Sequence, residues 1–469
     1  MKRKILLNNI VMGIIKAEKC IRCKTIHRDI LAFYPLCFLR VPLWFIFFIS
    51  TQCFAQEKLS LQDAVSTALK NNYSILVAKN DAAINNNDNT IGHAGMLPSV
   101  VVGGQITHTE NNLKQNYTDG RVVDKSNVGS TATVAGAMLN WTLFDGLKMF
   151  IAKSKFEEIA ARGEILYKIL IENTVQQVIA SYFNVVQQQK LIEATNIIIS
   201  IDSERVAIAQ TRLEVGSGSR LDFLQAKVDL NEQLSIRMRQ LATLEEHKDN
   251  LNYLLSRKPG TDFTVSDSIV ISYHPSTETI RNSVQQNNFS ILSAQQDRKI
   301  SLLELKEMKS LRSPAIGFSG GYNYAKTKSE AGFLLLNQSN GFNYGLSLSW
   351  NLFNGFNVNR QVKNAKLLYE SSDFRIKDKQ LQVSEALEKA LRDFSNNVSI
   401  LVLEEENILL AKENLEVAFE RFRTGLSNSL ELKNAQLSFQ NAELRLVQTQ
   451  YAAKISETEL MRLNGELVK

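Results

Sequence analysis

The sequence predicts a mixed α/β membrane protein built from one duplicated unit, in which a helix leads into a β-hairpin and then into a long helical hairpin. Three observations predict this fold class. One strand has an apolar and a polar face, the strand and its surroundings occur twice, and the helical stretches are too long for an ordinary globular domain.

The strand with two faces covers residues 342–355, FNYGLSLSWNLFNG. Large apolar residues alternate strictly with Asn, Gly and Ser, so one face is apolar and aromatic at both ends while the other is small and polar. This pattern is typical of a strand between lipid and a water-filled lumen. Half of a soluble β-sandwich is the alternative for a single strand, and the second copy and the long helices argue against it.

The second copy lies upstream, where WTLFDG at 141–146 matches WNLFNG at 350–355 with an offset of 209 residues. Further upstream, NNYSIL at 71–76 matches NNFSIL at 287–292 with an offset of 216, so the first hairpin has the longer loop. Sequence self-similarity at this distance predicts a duplicated architecture. The expected organisation is a leader at 1–55, a first repeat at 56–256 with its hairpin at 98–145, a linker at 257–276, and a second repeat at 277–469 with its hairpin at 314–353.

Charge and cysteines are concentrated in the leader. Residues 1–55 carry nine Lys/Arg and two Asp/Glu, so the rest of the chain is close to neutral and a nucleic-acid partner is not expected. The apolar run at 41–50 precedes Cys53-Phe54-Ala55, which predicts a secretory signal cleaved after Ala55. Lipidation of Cys53 is the competing interpretation. All four cysteines precede residue 56, so the mature chain is expected to contain no disulfide.

Helical and strand patterns predict the following elements in order. Helix begins at a capping box, Ser60 to Asp63, and runs to about Gly95 with a break at Asn71-Asn72. The remaining expectations are strands at 100–109 and 130–144 around a polar loop, helices at 147–213 and 219–255, an irregular linker, a helix at 277–311, strands at 315–326 and 342–353, and helices at 357–423 and 428–463.

The number of strands predicts an oligomer. Four lipid-facing strands cannot close a barrel, for which about eight are the practical minimum. Because an open sheet edge in lipid leaves backbone groups without hydrogen bonds, the barrel is expected to be shared between chains.

The turns between the long helices have a structural explanation of their own. Gly216 and Gly425 suit the left-handed residue that ends a helix, and Arg212 and Arg421 lie where the helix dipole is negative. Capping boxes are expected at Ser219 with Asp222 and at Asn428 with Glu431. A further expectation is a set of membrane-interface aromatics near the strand ends, namely Trp141, Phe318, Tyr322, Tyr324 and Trp350.

With these motifs in their duplicated order, the chain resembles the TolC family of outer-membrane efflux and secretion ducts over residues 56–467. The residues that carry the resemblance are LQDAV at 61–65, ALKNN at 68–72, the two WxLFxG segments, EVGSGSRLDFLQA at 214–226, RTGLSNSLELKNA at 423–435 and RLNGEL at 462–467. The chain departs from the family where Tyr73 and Phe289 replace the usual proline, and where the first turn lacks the leucine after its glycine.

The resemblance implies a homotrimer with a twelve-stranded β-barrel in outer-membrane lipid, continued by a twelve-helix α-barrel through the periplasm. It also implies a passive exit duct of a tripartite efflux or type I secretion system, served by a periplasmic adaptor protein and an inner-membrane pump. The tips implied to dock the adaptor are Arg212, Val215, Gly216, Ser217, Arg421, Thr424, Gly425, Leu426 and Ser427. The positions implied to form the periplasmic gate are Asp222, Glu431 and Asn434.

No catalytic set, phosphate loop or nucleophile motif is found in the sequence, and its five histidines have no ligand spacing. We therefore expect no enzyme activity, no cofactor and no metal site. The alternative to a duct is a non-conducting, envelope-spanning scaffold of coiled helices. The small polar residues Gly345, Ser347 and Ser349 favour the duct.

Overall fold

The computed structural model describes residues 57–265, 268–273, 276–332 and 334–467. The predicted leader, with its cleavage site and Cys53, lies outside the described residues. The described elements are, in chain order, β1 (Glu57–Leu59), α1 (Leu61–Asn71), α2 (Tyr73–Asp88), β2 (Ser99–Asn116), β3 (Val122–Phe144), α3 (Lys148–Glu214), α4 (Arg220–Leu254), β4 (Phe263–Val265), α5 (Thr277–Asn287), α6 (Phe289–Ser310), β5 (Ala315–Ser329), β6 (Leu336–Ser349), α7 (Asn357–Arg423) and α8 (Ser429–Leu463).

The capping of α1 and the break after it are confirmed. The Ser60 hydroxyl accepts a hydrogen bond from the backbone N–H of Asp63 at 3.2 Å. Asn72 interrupts the helix because its side chain accepts from the N–H groups of Ser74 and Ile75 and so starts α2. The prediction that this helix continues to about Gly95 was wrong, since α2 ends at Asp88.

The same break occurs in the second repeat, where a single helix at 277–311 was predicted and two are found, α5 and α6. Asn288 accepts hydrogen bonds from Ser290 and Ile291 and starts α6 just as Asn72 starts α2. Each asparagine also donates through Nδ2 to a carbonyl at the end of a long helix, Asn72 to Leu254 at 2.8 Å and Asn288 to Leu463 at 3.0 Å. One polar side chain therefore fixes a helix start to a helix end in each repeat.

Four strands form an antiparallel sheet in the order β2-β3-β5-β6, so β2 and β6 are its edges. The predicted loop at 110–128 was wrong, because β2 runs to Asn116 and β3 begins at Val122. Polar residues pair there, with Lys114 and Asp124 forming an ion pair at 3.1 Å. Likewise β5 and β6 extend into the predicted loop at 327–341, whereas β6 ends at Ser349, before the predicted end at 353.

The register places mostly small, uncharged side chains on one face of this sheet. One row across the strands is Gly345, Ser319, Asn140 and Ser99, and the second row after it is Gly341, Asn323, Gly136 and Gly103. The row between them is Asn343, Gly321, Met138 and Val101, which includes two larger apolar side chains. The opposite face carries large apolar residues, such as the row Phe342, Tyr322, Ala137 and Val102. The alternation predicted for β6 therefore largely continues in β5 and β3, whereas β2 has apolar residues on both faces at Val100, Val101 and Val102.

A very long helical hairpin follows each β-hairpin in the chain. Helices α3 and α7 have 67 residues each, and α4 and α8 have 35 each. At 1.5 Å per residue, the longer helices span about 100 Å. Their bounds agree with the predicted ones within one or two residues, which confirms the prediction of these four helices. Among the helices in the described ranges, none combines the length and apolar character needed to cross a membrane.

A small parallel sheet of β1 and β4 was not predicted. The prediction of an irregular linker at 257–276 was wrong at β4, whose Phe263 is buried beside Leu59 in the core cluster that includes Tyr182 of α3. The Tyr182 hydroxyl donates to the Leu59 carbonyl at 3.0 Å. This contact fixes the N-terminal strand to the middle of α3.

Candidate functional site

The candidate site is the pair of turns that end the two helical hairpins, which we call the tips: residues 212–222 and 421–431. In the first tip Gly216 has φ of 75°, and in the second Gly425 has φ of 80°. This left-handed backbone favours glycine, as predicted. The N–H of Ser217 donates to the Arg212 carbonyl and that of Leu426 to the Arg421 carbonyl, both at 2.9 Å.

The start of each returning helix is capped as predicted. The Ser219 hydroxyl accepts from the N–H of Asp222 at 3.1 Å, and the Asn428 amide oxygen accepts from the N–H of Glu431 at 2.9 Å. Each cap satisfies a backbone donor that has no partner inside its own helix. The two tips thus have the same backbone design.

The two tip arginines differ in their partners. Arg212 reaches across to the second hairpin, donating to the Phe422 carbonyl at 3.0 Å, with its guanidinium 5.3 Å from the centre of the Phe422 ring. Arg421 stays in its own tip and pairs with Glu431 at 3.0 Å. Arg212 therefore connects the hairpins at their ends, whereas Arg421 does not.

The remaining predicted tip residues lie at the surface of the chain. Val215 and Leu426 present large apolar side chains to solvent. The others are Gly216, Ser217, Thr424, Gly425 and Ser427, of which only Ser427 is partly covered. An exposed apolar pair at the end of two hairpins is suited to a protein contact.

The three predicted gate residues are all exposed, and their surroundings differ. Glu431 is paired with Arg421, so its charge is largely compensated. Asp222 lies on the wall of a cavity of ≈220 Å³ between the hairpins and has no ion-pair partner in the described part of the chain. Asn434 follows Glu431 on α8 by three residues, about one helical turn further from the tip.

A polar cluster on the side of this cavity away from the tips was missed by the sequence analysis, and all of its members are buried except Lys433, whose side chain is 39% exposed. It comprises Asp202 and Arg205 of α3, Asp229 of α4, and Lys433 and Gln436 of α8. Arg205 is only 1% exposed and pairs with both Asp202 and Asp229. Across the hairpins, Lys433 donates to Asp229 at 2.8 Å and Gln436 donates to Asp202 at 2.9 Å.

The two carboxyls of this cluster are shifted in opposite directions. Burial raises the pKa of Asp202, and the hydrogen bond from Gln436 offsets this only in part. Burial acts on Asp229 in the same sense, but hydrogen bonds from Lys433 and Arg205 outweigh it and lower its pKa below the usual value. The donors around Asp229 therefore favour its ionised form, whereas burial disfavours the ionised form of Asp202.

One sequence signal could have revealed this cluster. Along α3, Ala194, Ile198, Ile201, Arg205 and Ile208 follow one another at spacings of four, three, four and three residues. This is the spacing of side chains that face a partner helix. An arginine in that series is at a core position and therefore needs a buried acidic partner.

Another buried carboxyl is Glu172, which is 3% exposed and lies nearer the start of α3, further from the tips. Burial raises its pKa to about 7, against a smaller opposing effect of Arg462 on α8, while Glu459 of α8 adds to the increase. Arg462 is already paired with Glu459 at 2.6 Å. Glu172 is thus left without a full counter-charge.

The predicted interface aromatics lie at the sheet. Trp141 and Phe318 are opposite each other on the apolar face, and Tyr322 and Tyr324 follow on the same face. Trp350 comes directly after β6 rather than inside it. The indole N–H of Trp141 donates to the Met96 carbonyl at 2.9 Å and that of Trp350 to the Arg312 carbonyl at 3.1 Å.

Comparison with known proteins gives consistent results. Residues 64–248 and 280–466 match the model of the outer membrane efflux protein family. The chain is 20% identical to the outer membrane efflux protein BepC of Brucella suis over 72% of this chain and 73% of that protein. It is 18% identical to the outer membrane protein TolC of Escherichia coli over 79% and 75%.

Solved structures share the fold at low identity. The outer membrane channel CmeC of Campylobacter jejuni superposes with a TM-score of 0.73 at 16% identity, covering 87% of this chain and 85% of that one. The outer membrane protein VceC of Vibrio cholerae superposes with a TM-score of 0.70 at 15% identity, covering 86% and 96%. The chain therefore belongs to the outer membrane efflux protein family, whose place is the outer membrane with an extension into the periplasm.

Proposed function

We propose that the chain is the passive exit duct of a tripartite efflux or type I secretion system, and that it works as a homotrimer. The observation that carries this proposal is the open four-stranded sheet with one uncharged face and one apolar face. Three copies of four strands give a barrel of twelve, which is within the range of outer-membrane barrels. The edges β2 and β6 then pair between neighbouring chains.

The two faces of the sheet suit lipid outside and water inside. From the row of Ser347 to that of Asn337, the small-residue face carries no charged side chain. On the other face, Phe318 and Tyr324 are six residues apart, about 20 Å along a strand. This is close to the height of the apolar band between two aromatic girdles, about 25 Å.

The second helical hairpin supports the trimer independently. Ala194, Ile201 and Ile208 of α3 pack against the second hairpin of the same chain. Their counterparts in the repeat, 209 residues later, are Leu403, Leu410 and Val417 of α7, which are 60%, 56% and 53% exposed. Because the two repeats are equivalent, the first hairpin of a neighbouring chain would cover these three apolar side chains of α7 in the trimer.

The tips form the periplasmic mouth in this proposal. A periplasmic adaptor protein docks on the residues from Arg212 to Ser217 and from Arg421 to Ser427, and an inner-membrane pump supplies the energy. Asp222, Glu431 and Asn434 line the gate. The support is the placement of both turns at one end of the helices, with exposed apolar side chains at Val215 and Leu426.

The mass and the single-channel conductance of the detergent-purified chain, residues 56–469, test this proposal. We expect a trimer that forms cation-preferring channels in a planar bilayer. A trimer without conductance would favour the non-conducting scaffold. A soluble monomer would mean that the sheet does not face lipid, which would contradict the duct and the shared barrel together.

A further inference from the structure

The apolar face of the four-stranded sheet changes to a basic surface near the hairpin turns. On β5, Tyr324 is followed by Lys326 and Lys328 at the two-residue spacing of one face, so both lysines share the face of the aromatic residues. From the row of Trp141 to that of Tyr324, this face of the described strands carries no charged side chain. Positive charge therefore begins where the aromatic residues end.

The basic surface consists of two rows of side chains, which we call the basic rim. The rows are Ile106, Thr133, Lys326 and Gln338, followed by His108, Thr131, Lys328 and Leu336. Lys328 is exposed and Lys326 is half-buried, and neither lysine forms an ion pair within the described ranges of the chain. Since neither row contains a carboxylate, both ammonium groups are available to a negatively charged ligand.

A cavity of ≈380 Å³ opens beside Lys328 on this face, and its wall includes His108, Thr131, Leu335 and Leu336. The Nδ1 atom of His108 lies 2.9 Å from the hydroxyl oxygen of Thr131, a contact that holds the imidazole ring against β3. Leu335 and Leu336 are 60% and 52% exposed. The cavity thus combines a basic and polar wall with exposed apolar side chains, which is the chemistry that an amphiphilic ligand requires.

Two carboxylates, Glu110 and Glu330, follow the basic rim on the side away from the aromatic residues. The Oε2 atom of Glu330 accepts a hydrogen bond from the N–H of Gly129 at 3.1 Å, and Oε1 of Glu110 lies 3.7 Å from Nε2 of His108. Both carboxylates therefore have partners other than the two lysines. Along the strands the order is apolar, basic and then acidic, which places the cations next to the apolar band.

The depth of the basic rim agrees with that of lipid headgroups. In the proposed duct the long helices extend into the periplasm, so the hairpin turns at the other end of the sheet face the exterior. Lys326 and Lys328 follow Tyr324 by two and four residues, about 7 and 14 Å along the strand. For a strand tilted by about 40°, this corresponds to about 5 and 10 Å along the membrane normal. The headgroup layer outside the hydrocarbon is about 5 to 8 Å thick, so the flexible lysine side chains can reach it from both positions.

We propose that the basic rim binds a phosphate group of an anionic lipid in the outer leaflet, with Lys326 and Lys328 as its charged ligands and the cavity beside Lys328 as the site of the headgroup. Charge complementarity selects this occupant, because lysines at a membrane surface attract anionic headgroups. Leu335 and Leu336 then contact the apolar part of the lipid. This inference rests on the proposed duct, since it requires the apolar face of the sheet to lie in lipid.

Native mass spectrometry of the detergent-purified chain, residues 56–469, tests the proposal with phosphorylated lipid A and its dephosphorylated form as probes. We expect the trimer to bind the phosphorylated lipid at least about tenfold more tightly, because the phosphate supplies the charge that the lysines bind. Equal affinity for the two forms would overturn the proposal. Inorganic phosphate at millimolar concentration should not displace the lipid, and displacement would assign the basic rim to the free ion instead.

A lysine variant locates the binding. Lys326→Gln with Lys328→Gln removes both charges, and we expect it to weaken the binding of phosphorylated lipid A by about tenfold without affecting the dephosphorylated form. The matched control is Lys114→Gln with Lys125→Gln, which removes two exposed lysines further out on the sheet and should leave the affinity unchanged. Equal losses in both variants would indicate a general attraction to positive charge and would contradict a site at the basic rim.

Failure of the lipid site and failure of the duct give different results. A conducting trimer that binds both forms of the lipid equally would reject the lipid site and leave the duct in place. A soluble monomer would reject both, because the apolar face would then not lie in lipid. Lys326→Gln with Lys328→Gln should retain the trimer mass and the conductance, since both lysines lie on the face opposite the proposed lumen. If this variant does not assemble, the comparison of the two lipid forms on the natural chain decides.

Discussion

The two repeats share their backbone devices and differ in their side-chain partners. In both tips the chain turns at a glycine, and the returning helix begins at a side-chain cap. Helices α2 and α6 each begin at an asparagine that donates a hydrogen bond to a carbonyl at the end of α4 or α8. In contrast, Arg212 connects the hairpins while its counterpart Arg421 pairs within its own tip. The two repeats therefore share the residues that their backbone conformation requires, and they differ in the residues that contact neighbouring helices.

This difference follows from the position of each repeat in the chain. The surfaces of α3 are covered by α8 of the same chain, whereas the equivalent surfaces of α7 are exposed in the single chain. Buried ion pairs are found on the covered side, and exposed leucines and valines on the other. Equivalent residues therefore carry different charges because they meet different neighbours.

The largest expected effect concerns Glu172, whose counterpart in the second repeat is the exposed Leu381. Its pKa is raised from 4.5 to about 7 by burial, so ionisation opposes folding. The stability that depends on the neutral form is complete below pH 4.5 and is lost as the pH rises to about 7. The difference corresponds to about 3 kcal/mol. Among the described residues, the charged groups that act on its pKa are Arg462 and Glu459 of α8.

We therefore expect Glu172→Gln to stabilise the folded chain at pH 8 and to have little effect at pH 4.5. The midpoint of thermal unfolding, measured across this range, checks the prediction. The matched control is Glu443→Gln on α8, another carboxyl with a raised pKa but one that is less buried. A pH profile of Glu172→Gln parallel to that of the natural chain would contradict the buried, titrating carboxyl.

The asparagines Asn72 and Asn288 provide the next test, and here the repeats should behave alike. Replacing either by Ala removes a helix cap worth about 1 kcal/mol and a hydrogen bond to a helix-end carbonyl worth about 1 kcal/mol. We expect each variant to lose about 2 kcal/mol of stability, measured by chemical unfolding. Ser276→Ala is the control, because Ser276 precedes α5 without a side-chain cap bond and should cost nothing. Unequal losses would break the equivalence of the repeats.

Much of this architecture could be predicted from the sequence because it is periodic. The long helices, the two glycine turns and their caps follow from local residue patterns, and the bounds of α3, α4, α7 and α8 agree with the predicted ones within one or two residues. The break at Asn288 also had a signal, since residues 287–292 match 71–76, where the break was predicted. The repeat was more informative than the helical periodicity at that position.

The missed features depend on contacts between distant residues. The pairing of β1 with β4 joins two three-residue strands about 200 positions apart, and such short strands have no periodic pattern. The extension of β2 to Asn116 and of β3 back to Val122 is mostly polar, and its few apolar residues (Leu113, Val122, Val123 and Val128) do not alternate with the polar ones. Asp229 and Lys433 lie on helices that carry many charges, and only packing distinguishes them from solvated residues.

The two tip arginines should differ in their effect on the mouth. Arg212→Ala removes a charged hydrogen bond to Phe422 worth about 1.5 kcal/mol, so backbone amides of 422–428 should exchange hydrogen about tenfold faster. Arg421→Ala removes an exposed ion pair with Glu431 worth less than about 1 kcal/mol. Its effect on the same amides should be under about fivefold. Hydrogen exchange read by mass spectrometry measures both, and equal effects would mean that Arg212 does not connect the hairpins.

The smallest expected effect distinguishes the two predicted acidic gate residues, Asp222 and Glu431. The charge of Glu431 is compensated by Arg421, whereas Asp222 has no ion-pair partner in the described part of the chain. Asp222→Ala removes an unpaired negative charge, whereas Arg421→Ala with Glu431→Ala removes a neutral pair. If these residues line the mouth, Asp222→Ala should reduce the cation preference of the channel by about twofold, because rings of charge set ion selectivity. The neutral double variant should leave it unchanged, and Asp222→Ala with Glu431→Ala should reduce it most. Reversal potentials in a salt gradient measure all three. Unchanged selectivity in Asp222→Ala would leave Asp222 as a residue of the helix start alone, and the charge filter would have to lie elsewhere in the duct.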